Sequence, residues 1–150
     1  MNLRTLDGLE LKGKVVFLRC DLNVPIDKEG KVSDKTKIIR HKSTIQELQR
    51  RGAKIVILAH LGRPKGKVIK EFSLNFIMED FAKVMQLLEV TVLPFCKVDV
   101  IRKVVENMKD GAVTFLENIR FYPEEEKNDN KFAKHLASLG DIYVNDAFSC

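Results

Sequence analysis

Five short apolar runs punctuate this chain: residues 15–20 (VVFLRC), 55–59 (IVILA), 90–95 (VTVLPF), 112–116 (AVTFL) and 142–144 (IYV). The stretches between the first four carry apolar residues at helical spacing, and residues 132–139 read as a helix before the fifth. Successive strands joined through helices run parallel, because a helical crossover returns the chain to the edge from which it left. The alternation therefore predicts an α/β fold, a doubly wound, Rossmann-like parallel sheet with flanking helices. It also carries the carboxyl ends of the strands to one edge, where ligands of such sheets bind.

Individual helices follow from periodicity. Over residues 35–51, Ile38, Ile45 and Leu48 share a face that Ile39 borders, with Ser33 or Asp34 placed to cap the start and Gly52 to end it. Over residues 74–89, Leu74, Ile77, Met78, Phe81, Met85 and Leu88 trace one stripe behind Ser73 as N-cap. Asp99 is placed to cap a third helix using Ile101, Val104, Val105 and Met108, with Gly111 as its stop. Pro94 makes the third strand an edge strand or ends it. The polar stretch at residues 122–130, YPEEEKNDN, reads as an excursion whose EEEK run is a solvated face.

The strand ends carry the chemistry. Asp21 and Asn23 follow the first strand; His60, Gly62 and Arg63 the second; Asn118 and Arg120 the fourth; Asn145 and Asp146 the fifth. Taken singly, each has a plain explanation. A histidine after a strand is more often a satisfied loop residue than a ligand, Asp21–Pro25 is compatible with an Asx-turn, and arginines commonly form surface ion pairs of little worth. Taken together, two arginines and a histidine suit a phosphate or carboxylate, which the guanidinium fork binds bidentately. Asp21 and Asn23 suit hydroxyls on the same small anion.

Other classes fit less well. The turn after the first strand, DLNVP, has no glycine and so lacks the G-x-G-x-x-G dinucleotide pattern, and neither a G-x-x-x-x-G-K-[ST] loop nor a G-x-S-x-G elbow occurs. Cys20, Cys96 and Cys150 are too few and too far apart for a zinc or disulfide framework, so reduced thiols and no metal site are expected. The net charge of +5 favours anionic partners, but it is spread along the chain rather than gathered into an arm, which argues against nucleic acid. No apolar run approaches the roughly 20 residues of a membrane span and the start lacks a signal-peptide core, so a cytoplasmic protein without a membrane partner is expected. A receiver-type signalling domain wants clustered acids and a lysine after the last strand, and residues 145–150 have no lysine.

RCDLNVP, LAHLGRPKG, FLENIRFYPEEEKND and YVNDAF, in this order, resemble the phosphoglycerate kinase family over residues 6–148. The resemblance implies a two-domain enzyme moving a phosphoryl group between 1,3-bisphosphoglycerate plus ADP and 3-phosphoglycerate plus ATP. Residues 1–150 correspond to most of its amino-terminal, 3-phosphoglycerate-binding domain. The domain is expected to be cut off before its end, and the carboxyl-terminal domain that takes ATP or ADP with Mg2+ is expected to be missing.

By the same resemblance Asp21 and Asn23 contact the glycerate, and His60, Arg63 and Arg120 form the basic patch. Leu22, Leu61 and Gly62 supply shape and backbone contacts between them. The family carries an arginine where TKIIRHKSTI has Lys37, which keeps the charge but loses the fork; Lys37 is the expected catalytic cation, with Arg40 about one turn further on as the alternative. A full-length member is expected to be a monomer, while this chain alone is expected to bind substrate without turning it over and to self-associate through its last strand. The competing reading is a non-catalytic anion-binding α/β domain.

Overall fold

A computed structural model describes residues 4–94 and 97–148. Among them the order is β1 (Val15–Arg19), α1 (Thr36–Arg40), α2 (Lys42–Arg50), β2 (Lys54–Leu58), α3 (Met78–Met85), β3 (Thr91–Leu93), α4 (Val98–Asn107), β4 (Val113–Leu116), α5 (Pro123–Glu126), α6 (Asn130–Ala137) and β5 (Ile142–Asn145). The strands form one parallel sheet in the order β3-β4-β2-β1-β5. The expected α/β architecture is the observed one, and each strand lies within two residues of its sequence-based bounds. Cys96 and Cys150 lie outside the described residues.

Alternation along each strand feeds two cores. Val16, Leu18, Ile55, Ile57, Val113 and Phe115 point to the face covered by α1–α3, where Phe81 meets Phe115 edge-on at 4.8 Å. Phe17, Val56, Leu58 and Leu116 point to the other face, against Ile101 and Val105 of α4 and Phe132 and Leu136 of α6. The connections leaving β1 and β2 thus cross one face, and those leaving β3 and β4 the other. Between the neighbours β2 and β4 the departing chains diverge, which opens a crevice at their carboxyl ends.

Four local expectations are corrected. The helix over residues 35–51 is divided at His41, whose N–H reaches the Ile38 carbonyl in a tight turn while its ring is drawn to other partners. Neither Ser33 nor Asp34 is the N-cap of α1, although Asp34 Oδ1 does accept the Thr36 N–H at 2.8 Å. The helix after Ser73 opens as a 3-10 turn, Leu74–Ile77, and stops at Met85 because Gln86 turns left-handed, so Leu88 is fully exposed. Lys97, not Asp99, precedes α4, which ends at Asn107; Gly111 serves the turn into β4.

Candidate functional site

Two buried polar residues set up the crevice at the end of β4. Glu117 accepts the N–H groups of Leu74 and Asn118 at 2.8 Å on one oxygen and the Ser73 hydroxyl at 2.7 Å on the other. Asn118, fully buried, donates its amide to the carbonyls of Leu61 at 2.7 Å and Phe72 at 2.9 Å, and its oxygen accepts the Arg120 N–H at 3.1 Å. The Gly66 N–H reaches the Arg120 carbonyl at 3.0 Å. The loop bearing His60–Arg63 is therefore sewn to the loop bearing Arg120.

Glycine is required twice in that sewing. Gly62 has φ +63°, and a Cβ there would lie 2.4 Å from the Phe72 ring. Gly66 has φ +73°, and its Cβ would lie 2.9 Å from the Pro123 Cα, a backbone atom that cannot step aside. The Gly62 N–H also meets Asn23 Oδ1 at 2.9 Å, which joins the β1 loop to the β2 loop.

His60, buried at the end of β2, faces Arg19, whose Nη2 lies 3.4 Å from its Nδ1. A guanidinium only donates, so Nδ1 is an acceptor, the ring is neutral and its proton sits on Nε2. Burial first, then the charges of Arg120 and Arg19, push its pKa down to about 4; Lys37 adds to the effect and Asp21 opposes it. Arg19 and Arg120 share one carboxylate: Glu125 Oε1 is 3.3 Å from Arg19 Nη2 and Oε2 is 3.6 Å from Arg120 Nε. The EEEK run is thus not simply a solvated face, since its Glu125 turns inward to the two arginines.

Asp21, buried past β1, holds Lys37 Nζ at 3.0 and 2.9 Å through its two oxygens. Its Oδ1 also accepts the Asn23 N–H at 3.3 Å, so the Asx-turn and the ion pair coexist. Behind it stands His41, which is buried. Its Nδ1 lies 2.7 Å from Asp146 Oδ2, and its Nε2 lies 3.1 Å from both the N–H and the carbonyl of Asp21. Lys37, Arg40, Asp21, His41, Asp146 and Phe148 line a cavity of ≈ 420 Å³.

The structure brings Asp21 and Lys37 together, and His60 and Arg120, and joins Asn23 to Gly62. Leu22 and Leu61 are buried beneath them. Arg63 is exposed at the same edge and forms no ion pair among the described residues. Three residues escaped the sequence reading. Arg19 was detectable, as a charge on the alternate of β1 that includes Phe17. His41 and Glu125 carried no signal, because their partners lie 20 to 106 residues away. Burial pushes the Cys20 thiol well up, which removes it as a thiolate nucleophile.

Among the described residues no group of three histidine, cysteine or acidic side chains is placed to hold a metal ion. No helix is long and apolar enough to cross a membrane.

A family model described as phosphoglycerate kinase matches residues 6–150. Phosphoglycerate kinase of Bartonella tribocorum is 49% identical over 149 residues, 99% of this chain and 37% of that protein. The cytosolic phosphoglycerate kinase of Triticum aestivum is 49% identical over 147 residues, 98% of this chain and 36% of that protein. Among solved structures, the phosphoglycerate kinase of Coxiella burnetii superposes with a TM-score of 0.84 at 34% identity, over 97% of this chain and 35% of that one. That of Pyrococcus horikoshii gives 0.81 at 30% identity, over 97% and 37%. The chain spans a little over a third of the length of these relatives.

Proposed function

The chain belongs to the phosphoglycerate kinase family, and from that premise we propose that its strand ends form the 3-phosphoglycerate half of a glycolytic phosphoryl-transfer site. The reading assigns residues 1–150 to the first, substrate-binding domain of a cytoplasmic enzyme. One observation carries it: Arg19, Arg120 and a neutral His60 converge at the carboxyl ends of β1, β4 and β2. Two guanidinium forks and a free Nε2–H make a cradle for oxyanions.

In this reading the cradle holds the carboxylate or phosphate of the three-carbon acid, with Arg63 closing on it from the neighbouring loop. Leu22, Leu61 and Gly62 shape the floor, and Asn23 and Asp21 orient the hydroxyl. Lys37, fixed by Asp21, meets the charge on the phosphoryl group in flight, and Arg40 on the same cavity wall is its alternate. In transfer the acyl-phosphate P–O bond of 1,3-bisphosphoglycerate breaks while a P–O bond to the terminal phosphate oxygen of ADP forms. The carboxylate released carries no proton, so no general base is needed. Positioning and fixed charge do the work.

The cationic cradle does not fit Mg2+, and the strand-end loops lack a glycine-rich phosphate cradle. We therefore assign the magnesium–nucleotide pair to the part of the relatives that this chain does not span. A non-catalytic anion-binding domain uses the same cradle and makes the same contacts.

Calorimetry of the 150-residue chain with 3-phosphoglycerate, inorganic phosphate and glycerate tests the reading, beside a coupled assay with ATP and Mg2+. Weak binding that favours 3-phosphoglycerate, without turnover, is expected. Equal affinity for phosphate and 3-phosphoglycerate overturns the substrate assignment, and measurable turnover by these 150 residues overturns the division of labour.

A further inference from the structure

Glu125 sits where a ligand oxyanion would sit. Its carboxylate bridges the two arginines, one oxygen toward each, from the short helix α5. Yet it satisfies neither well. The 3.3 Å and 3.6 Å separations exceed the roughly 2.7–2.9 Å of a well-made charge-assisted bond. Arg120 Nε is buried and has no hydrogen-bond partner. A guanidinium carries five N–H donors, so both arginines retain capacity that this carboxylate does not use. Arg19 is only 13% exposed, so when the cradle holds no ligand it needs a counter-charge nearby, and Glu125 supplies it.

We propose that Glu125 is an internal counter-anion, a positioning residue that keeps Arg19 and Arg120 aimed into the cradle and is exchanged for ligand oxygens on binding. The proposal rests on the substrate reading for the identity of the ligand, but the exchange itself requires only an oxyanion. It makes Glu125 a threshold. An anion must bind the forks better than a tethered, poorly aligned carboxylate does, which a phosphate or a chelating carboxylate achieves and a weakly coordinating monoanion does not. The chain thereby trades affinity for selectivity at its own anion site.

Glu125→Gln separates charge from aim, because the amide oxygen still accepts from an arginine while the competing charge is gone. The 150-residue chain is titrated by calorimetry with inorganic phosphate, with 3-phosphoglycerate and with acetate. The expected result is about five-fold tighter binding of phosphate and of 3-phosphoglycerate, the scale of one partly screened charge. Acetate, scarcely bound by the parent, should become measurable. Glu124→Gln makes the same change of net charge one residue earlier, at a carboxylate with no ion pair among the described residues, and should leave both affinities within two-fold.

Unchanged or weaker phosphate binding by a folded Glu125→Gln chain, judged by its circular dichroism, overturns the proposal; so does an equal gain in Glu124→Gln, and so does binding by neither parent nor variant. If Glu125→Gln does not fold, Glu125→Asp is read instead. Its carboxylate is drawn back by one methylene, so phosphate should bind about two-fold tighter, and equal or weaker binding overturns the exchange. Failure of the substrate reading looks different: the parent then binds 3-phosphoglycerate no better than phosphate, while the gain at Glu125 is still seen with phosphate.

Discussion

His60 is a base held uncharged by burial and by its cationic neighbours, and that state has consequences for stability and for anion binding. Its folded pKa of about 4 lies below the ordinary histidine value of 6.5, so between these values the unfolded chain binds the proton and the folded chain does not. The resulting stability is complete above about pH 6.5 and is lost progressively as the pH falls toward 4; on linkage it amounts to about 3 kcal/mol at most. Denaturation from pH 7.5 to 4 should show that loss, and His60→Gln should flatten it. An anion seated among Arg19, Arg120 and Lys37 would cancel part of their field, so phosphate should raise the His60 pKa in an imidazole-resolved NMR titration; an unmoved value would mean that the anion binds elsewhere. Lys37 makes a second prediction at this scale. Arginine keeps the charge and adds the fork, so Lys37→Arg in a full-length enzyme bearing this segment should leave turnover equal or higher. A large fall in turnover would remove Lys37 from the transferred group.

The loops past β2 and β4 behave as one unit because Asn118 joins them. Asn118→Ala would leave the Leu61 and Phe72 carbonyls without their donor inside the protein, a loss of about 2–4 kcal/mol for two buried bonds. Its effect on 3-phosphoglycerate binding should exceed that of Val113→Ala, an equally buried change in the sheet; equal losses would mean that Asn118 only stabilises. This unit marks how far the sequence could be read. The strands were legible because continuous apolar runs, buried on both faces, and the helix between each pair are local patterns, and Pro94 did mark the edge strand β3. The positions of Asp21, Asn23, His60, Arg63 and Arg120 at one edge followed from parallel pairing alone. The turn at His41 and the inward reach of Glu125 did not, because tertiary partners overrode local preference: a histidine within a helical pattern gives no sign that Asp21 and Asp146 will claim its ring, and three consecutive glutamates look alike until Glu125 bridges two half-buried arginines and Glu126 approaches Arg120 alone, at 3.9 Å. Leu88 shows the reverse failure, since the apolar stripe continued in sequence after Gln86 had turned the chain out of the helix.

At the scale of the whole molecule, the sheet that gathers the cradle also has two edges, and they are defended unequally. β3 spans three residues and is followed by Pro94, both of which discourage a further strand. β5 has neither defence. It reads IYVN, Tyr143 is 62% exposed, and among the described residues the strand pairs only with β1. Beside it a cavity of ≈ 430 Å³ is lined by Phe17, Leu58, Leu136 and Ile142, so apolar surface continues from the strand onto α6. Free strand edges recruit strands, and a second copy offers the same edge related by a two-fold axis. The 150-residue chain should therefore associate as its concentration rises, and its sedimentation coefficient should rise with it. Tyr143→Lys places a charge on the pairing strand at an exposed position, and should restore a monomer with a melting temperature within a few degrees of the parent. The net charge of +5 opposes association, so added salt should promote it while weakening phosphate binding at the cradle. Salt acting in the same direction on both would tie association to the cradle rather than to β5, and a sedimentation coefficient independent of concentration would show that this edge recruits no second chain.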